Sequence, residues 1–108
     1  MARIQRINSS PLMSVSDVAC HLLKTCPTLK FFECFMFGSS LFGVGTDYDI
    51  LVVGPSGETL LQLKAELKLA GAELPLDILY MLSNEAEETD FVINQKCVSI
   101  THLAVWDS

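Results

Sequence analysis

The residues most able to do chemistry lie near the middle of the chain. Gly38 and Ser39 form a pair that can hold phosphate, and Asp47 and Asp49 follow with one residue between them. A third carboxylate, Asp77, falls inside a later apolar run. Three carboxylates near a Gly-Ser turn are typical of metal-assisted chemistry on a nucleotide.

The Asp-x-Asp pair has the spacing of a shared metal site. In a strand, residues two apart project to the same face about 7 Å apart along the chain, so Asp47 and Asp49 can converge on one spot. Carboxylate oxygens suit magnesium, which borrows further ligands from substrate phosphates. Taken alone, such a pair favours a simpler interpretation, in which Asp47 is a turn residue and Asp49 a satisfied acid at a strand end.

The Gly-Ser pair strengthens the metal interpretation. A glycine at the end of a strand lets the backbone approach an anion closely, and Ser39 adds a hydroxyl and an amide. If Ser40 to Phe42 begin a helical turn, its free amides would add to the anion site. An ordinary Gly-Ser turn is the alternative, but this one precedes Asp47 by only seven intervening residues.

Asp77 is the third element of the pattern. It is preceded by Leu74-Pro75-Leu76 and followed by the apolar run from Ile78 to Leu82. A lone acid in so apolar a strand is costly unless it is paired, protonated or bound to metal. An edge position that faces water is the alternative.

Hydrophobic spacing and turn residues predict three helices and three strands that position these side chains. In chain order we predict a helix from Ser14 to Cys26, a strand from Lys30 to Phe37, a strand from Asp47 to Val53, a helix from Leu60 to Ala70, a strand from Leu74 to Leu82, and a helix capped by Asn84 that continues through Ile93. Residues Met1 to Leu12 are predicted to be a loose arm, and Val98 to Trp106 a final edge strand or coil.

The connection lengths predict strand directions. Nine residues separate the first two strands, too few for a parallel crossover, so these strands should be antiparallel if they pair. The second helix is long enough for a crossover to the strand that carries Asp77.

Length and composition limit the possible architectures and partners. With 108 residues the chain is expected to be one domain, residues 1–108. Half of the residues are hydrophobic and mean hydropathy is +0.39, which predicts strands buried on both faces or a surface for self-association or a partner. The longest apolar runs are too short to span a bilayer, and no signal peptide is recognised, so we expect a cytoplasmic protein without membrane contact.

The formal charge of -6 disfavours extended nucleic acid as a partner. The four cysteines lack the paired spacing of zinc sites and are interpreted as buried reduced thiols.

The ordered motifs resemble the nucleotidyltransferase domains of the DNA polymerase beta-like superfamily, particularly the minimal nucleotidyltransferases. Their signature is an apolar residue before Gly-Ser, a short spacer, Asp-x-Asp, and a later single Asp on the third core strand. The resemblance covers roughly Ser14 to Ile93. It implies an α/β (α+β) fold with a small mixed sheet and helices packed on it.

The resemblance also implies roles for six residues. The triphosphate of the incoming nucleotide would be held by Gly38, Ser39 and Ser40. Two magnesium ions, with manganese as the alternative, would be held by Asp47, Asp49 and Asp77. The implied reaction transfers a nucleoside monophosphate from a nucleoside triphosphate, expected to be ATP, to a hydroxyl by a two-metal mechanism.

Two functions remain open at this point. Small stand-alone members of the family pair with a HEPN-type ribonuclease toxin, and the resemblance implies an antitoxin that modifies or binds it. The alternative is a binding module that keeps the fold, has lost transfer activity, and masks or assembles a protein partner. The spacer between Ser39 and Asp47 contains no cation, which favours this alternative.

Overall fold

A computed structural model describes residues 14–42, 44–45 and 47–105 of the chain. The arm predicted over Met1 to Leu12 lies outside these residues. The described residues form a mixed sheet with helices packed against it, which confirms the expected α/β class. None of the helices in these ranges is long and apolar enough to cross a membrane.

The helices and strands follow the predicted order, with additional short elements near the C-terminal end. They are α1 (Val15–Thr25), β1 (Glu33–Phe37), β2 (Tyr48–Val53), α2 (Glu58–Gly71), β3 (Leu76–Met81), α3 (Ser83–Thr89), α4 (Phe91–Asn94), β4 (Val98–Ser99) and α5 (Ile100–Ala104). Short 3-10 turns occupy Pro27–Phe31 and Ser39–Phe42. The predicted boundaries of α1, α2 and β2 differ from these by one or two residues.

The four strands lie in the order β3-β2-β1-β4. Strand β1 runs antiparallel to β2 and to β4, which confirms the direction predicted from the short β1–β2 connection. Strands β2 and β3 run parallel, and α2 is the crossover between them. Strand β2 is therefore central, with β3 at one edge of the sheet.

Alternate strand residues face two unequal apolar clusters. The larger cluster joins Met36 and Ile50 of the sheet to apolar residues of α1, α2 and α5. Among the described residues, the smaller cluster buries Leu51, Val53 and Ala86 on the opposite face of the sheet. On that second face Asp77 and Leu79 of β3 are exposed, so we call it the more open face of the sheet.

Strand β1 is shorter than predicted at its beginning. Residues from Lys30, which we predicted to be extended, lie instead in the first 3-10 turn and its end. In that turn Thr28 donates its N–H to Oε1 of Glu66 at 3.0 Å and its hydroxyl to Oε2 at 2.7 Å. These bonds hold the turn against α2, so the strand begins only at Glu33.

The helix predicted from Asn84 through Ile93 is two helices. The chain changes direction at Asp90, whose φ of 51° is left-handed and ends α3. Asn84 is not the cap, since the helix begins at Ser83 and the side chain of Glu85 accepts a hydrogen bond from the Leu82 N–H at 2.8 Å.

Strand β3 and the C-terminal tail also differ from the sequence prediction. The N–H of Leu74 donates to the carbonyl of Ala70 at 3.0 Å, which prolongs the end of α2, and β3 therefore begins at Leu76. The tail is an edge strand as expected, but for two residues only, after which it forms helix α5. Helix α5 contributes Ile100 and Leu103 to the larger cluster.

Candidate functional site

Two of the predicted acids lie side by side on neighbouring strands. Asp49 of β2 is in register with Asp77 of the parallel strand β3, and on its other side with Phe37 of β1. Residues directly paired across a sheet project to the same face from strands about 4.8 Å apart. The carboxylates of Asp49 and Asp77 therefore project together from the more open face.

The Gly38 turn lies directly against Asp49. Gly38 follows β1 with a φ of +81°, in the left-handed region that favours glycine. A Cβ atom at this position would overlap Oδ2 of Asp49 and lie 3.3 Å from its Cγ. The site thus requires glycine at Gly38 for two reasons, its backbone conformation and its closeness to the carboxylate.

The two serines after Gly38 face different environments. Ser39 is exposed, whereas Ser40 is buried and its hydroxyl donates to the carbonyl of Phe37 at 3.5 Å. A helical turn forms over Ser39–Phe42, but the N–H of Leu41 donates to the Gly38 carbonyl at 3.2 Å. Ser39 is consequently the serine that can reach a ligand, and the Leu41 amide is used within the turn.

Two of the carboxylates act electrostatically on the third, Asp49. Partial burial, followed by repulsion from Asp77 and Asp47, raises the pKa of Asp49 above its ordinary value. Asp47 lies just before β2 and is exposed, as is Asp77. The cluster is therefore a place of concentrated negative potential, which a bound cation would relieve.

Asp77 occupies the position that we gave as the alternative. Strand β3 is at the sheet edge, and its residues alternate between Leu76, Ile78 and Tyr80, which pack against the larger cluster, and Asp77, which is exposed. The apolar neighbours of Asp77 in sequence therefore do not bury it. Asp77 is therefore a candidate site residue because of its register with Asp49.

The donor chemistry fits magnesium better than the side-chain arrangement does. Carboxylate oxygens are the ligands that this ion prefers, and the mutual repulsion around Asp49 favours a cation. However, no group of three or more His, Cys, Asp or Glu side chains within residues 14–42, 44–45 and 47–105 is arranged to hold a metal ion. Because Asp47 and Asp77 are exposed, packing does not fix their side chains in this arrangement.

Ser39, Asp47 and Asp77 of the candidate site are exposed. Four clefts among the described residues have volumes between about 250 and about 770 Å³, and none of the six predicted site residues lines any of them. The largest of these four lies beside β1 and β4 and includes Cys34 and Ile100. A ligand bound at the carboxylates would therefore be shielded from solvent only by its own atoms or by a partner.

Sequence reasoning missed one neighbour of the site, Leu79. It follows Asp77 by two residues on β3, projects to the same face, and is 38% exposed. The strand alternation could have indicated it, since residues two apart share a face. Leu79 gives the open surface an apolar contact next to the carboxylates.

No protein-family model, curated protein or solved structure matches this chain. The assignment of function accordingly depends on the residues and geometry described above.

Proposed function

We propose that this chain is a magnesium-dependent nucleotidyltransferase domain, which transfers a nucleoside monophosphate from a nucleoside triphosphate, ATP in our proposal, to a hydroxyl. The observation that carries the proposal is the register of Asp49 with Asp77 on the open face, beside the Gly38 turn. The motif order that resembles minimal nucleotidyltransferases is the second support.

Each residue has a distinct part in this proposal. Gly38 has no side chain that would overlap the Asp49 carboxylate, so the turn can lie directly against it. The exposed Ser39 hydroxyl donates to a phosphate oxygen. Asp47, Asp49 and Asp77 would hold magnesium, with manganese as the alternative. The chemistry that magnesium supplies when bound is neutralisation of phosphate charge and acidification of the acceptor hydroxyl.

The direct test measures magnesium-dependent transfer from labelled ATP together with pyrophosphate release. The transfer rate of the double variant Asp47→Ala/Asp49→Ala should be at least about a hundredfold lower. A phosphoryl-transfer site without its charged ligands loses most of its stabilisation of the reacting groups. The control Glu58→Ala/Glu88→Ala removes two exposed acids from helices α2 and α3 and should retain the transfer activity. Equal activity in both double variants would rule out the proposed site.

The acceptor is proposed to be a hydroxyl on a protein partner. The acidic charge and the exposure of Asp47 and Asp77 favour a partner that covers the carboxylates. Within the resemblance, that partner is a HEPN-type ribonuclease toxin with an R-x4-6-H motif. Mass spectrometry of the co-expressed pair should find one added nucleotide on the toxin, and it should be absent when Asp47 and Asp49 are replaced by Ala.

A binding module without transfer activity is the second candidate. Two observations favour it: the cation-free spacer after Ser39, and the lack of a three-ligand group among the described side chains. Isothermal titration separates the candidates. The enzyme should bind ATP in the presence of magnesium, and binding should weaken in Asp47→Ala/Asp49→Ala. Absence of heat at millimolar ATP, together with retained partner binding, would favour the module.

A further inference from the structure

The more open face of the sheet also has a cleft of about 640 Å³, which lies away from the carboxylates. We call it the α3–α4 cleft. It opens where the first residue of β1 and the last residue of β2 meet helices α3 and α4, and Glu33 and Val53, which form one register pair, line it. Asp49 pairs with Phe37 at the opposite end of the same ladder. The cleft and the candidate site are therefore at opposite ends of the β1–β2 pair.

The floor of the α3–α4 cleft is apolar. It is formed by Phe35, Val53, Ala86, Val92 and Ile93. The first four belong to or pack against the smaller apolar cluster, while Ile93 is 76% exposed. An apolar side chain inserted here would extend this small cluster and remove the exposed surface of Ile93 from water.

The rim of the cleft is acidic. Glu33 contributes a carboxylate from β1, Glu87 from α3, and Asp90 from the left-handed residue between α3 and α4. All three residues are exposed. None of the described residues that line the cleft is Lys, Arg or His. Three acids around an apolar floor, without a local cation, are complementary to a ligand that has both positive charge and an apolar group.

We propose that the α3–α4 cleft binds a basic segment of a partner protein, with one bulky apolar side chain on the floor and flanking Lys or Arg side chains at the rim. Charge complementarity selects this occupant over a second copy of the chain, because another chain with a formal charge of -6 adds repulsion. The proposal is independent of the transfer activity, since it uses none of the candidate site residues.

The test uses a fluorescein-labelled peptide, GRKLFKRG, and fluorescence anisotropy with the full chain. The triple variant Glu33→Gln/Glu87→Gln/Asp90→Asn should bind it about tenfold more weakly, a loss of about 1.4 kcal/mol shared among three exposed ion pairs. Asn is used at position 90 because it tolerates the left-handed conformation. The control Asp17→Asn/Glu58→Gln/Glu73→Gln removes the same charge from outside the cleft and should change binding by less than about twofold.

Two further measurements test the apolar half of the site. The peptide GRKSSKRG keeps the charge and loses the anchor, and it should bind at least about tenfold more weakly than GRKLFKRG. Ile93→Ser should weaken binding of GRKLFKRG by about threefold and leave GRKSSKRG unaffected. Ile93 is suitable because its exposure makes unfolding an improbable cause, which thermal unfolding of each variant checks.

Three results would overturn the proposal. Equal weakening by the two triple variants would mean that the peptide responds only to net charge. Equal binding of the two peptides would show that no apolar side chain anchors the peptide in the cleft. A dimer seen by light scattering that dissociates in Ile93→Ser would assign the cleft to a second copy instead.

Discussion

At the scale of single residues, Gly38 and Asp49 form the tightest feature of the candidate site. The backbone at Gly38 needs the left-handed region, and the space that a side chain would occupy contains the Asp49 carboxylate. The two requirements are separate, because one concerns conformation and the other concerns a neighbour. They can be measured separately in this chain.

Gly38→Ala should destabilise the fold for both reasons. The positive φ of +81° adds backbone strain of about 1–2 kcal/mol to the replacement. The new Cβ would also overlap Oδ2 of Asp49. Urea unfolding should show an additional loss of about 1–2 kcal/mol for Gly38→Ala.

A double-mutant cycle provides the control for this prediction. In an Asp49→Ala background the carboxylate is gone, and the cost of Gly38→Ala should fall to that of the backbone strain alone. An excess that persists without the carboxylate would show that closeness to Asp49 is not its cause.

At the scale of elements, the first 3-10 turn is fixed by one long-range contact. Thr28 donates two hydrogen bonds to the carboxylate of Glu66, which also accepts one from Gln62 at 3.0 Å. Burial acts to raise the pKa of Glu66, but the hydrogen bonds from Gln62 and Thr28 outweigh it, and the pKa is lowered. The ionised carboxylate is therefore the form that stabilises the turn.

Thr28→Val should cost about 1–2 kcal/mol of unfolding free energy at neutral pH, because it removes a hydrogen bond to a charged acceptor. A lowered pKa in the folded state stabilises above the unfolded value and is lost as the pH falls through the folded value. The difference between Thr28→Val and the parent chain should accordingly shrink as the pH falls below 4.5, the ordinary Glu value.

Thr25→Val is the matched control for the acid dependence. The Thr25 hydroxyl donates at 2.7 Å to the backbone carbonyl of His21, an acceptor that does not titrate in acid. Its effect should stay within about 0.5 kcal/mol and should not change with pH over the same range. A parallel pH dependence of the two variants would contradict the assignment to Glu66.

Local sequence patterns predicted the elements whose positions depend on local interactions. Helix α1, strand β2 and the crossover helix α2 follow from periodicity and cap residues. The aromatic neighbours of Lys30 favour a strand, whereas Lys30 lies in the 3-10 turn that is held by Glu66, 38 residues from Thr28. The left-handed break at Asp90 has no local signal either, since Asp tolerates that conformation without requiring it.

The candidate site was predictable in its members and less so in their surroundings. The Asp-x-Asp spacing placed Asp49 on the central strand, and the crossover brought Asp77 beside it. The apolar neighbours of Asp77 make its exposure only the alternative prediction, although alternate strand residues face opposite sides. The inward orientation of Ser40 depends on how the turn packs, and the local sequence pattern alone does not indicate it.

At the scale of the whole molecule, the unequal clusters on the two faces of the sheet determine which side chains are protected. Cys26 and Cys34 belong to the larger cluster or pack against it, whereas Cys20 lies exposed on α1. Burial, with a smaller contribution from Cys26, raises the pKa of Cys34 to about 12. Burial also raises the pKa of Cys26 and of Cys97.

Thiol alkylation should therefore follow the fold. At pH 8 iodoacetamide should modify Cys20 first, because it is exposed, and Cys34 last, because its reactive thiolate is scarce at that pH. Peptide mapping over time measures the order, and Cys20→Ser should abolish the fastest step. In urea all cysteines should react at similar rates. Early modification of Cys34 in the folded chain would contradict the burial of its thiol.

The alternation on β3 has a consequence for how the chain selects its pairing. If β3 slipped by one residue against β2, Asp77 would turn toward the larger cluster, and burying that unpaired charge would cost several kcal/mol. The acid thus excludes a misregistered sheet. Asp77→Leu should remove this discrimination, so a competing pairing becomes accessible, and the NMR spectrum of that variant should contain a second set of β3 resonances.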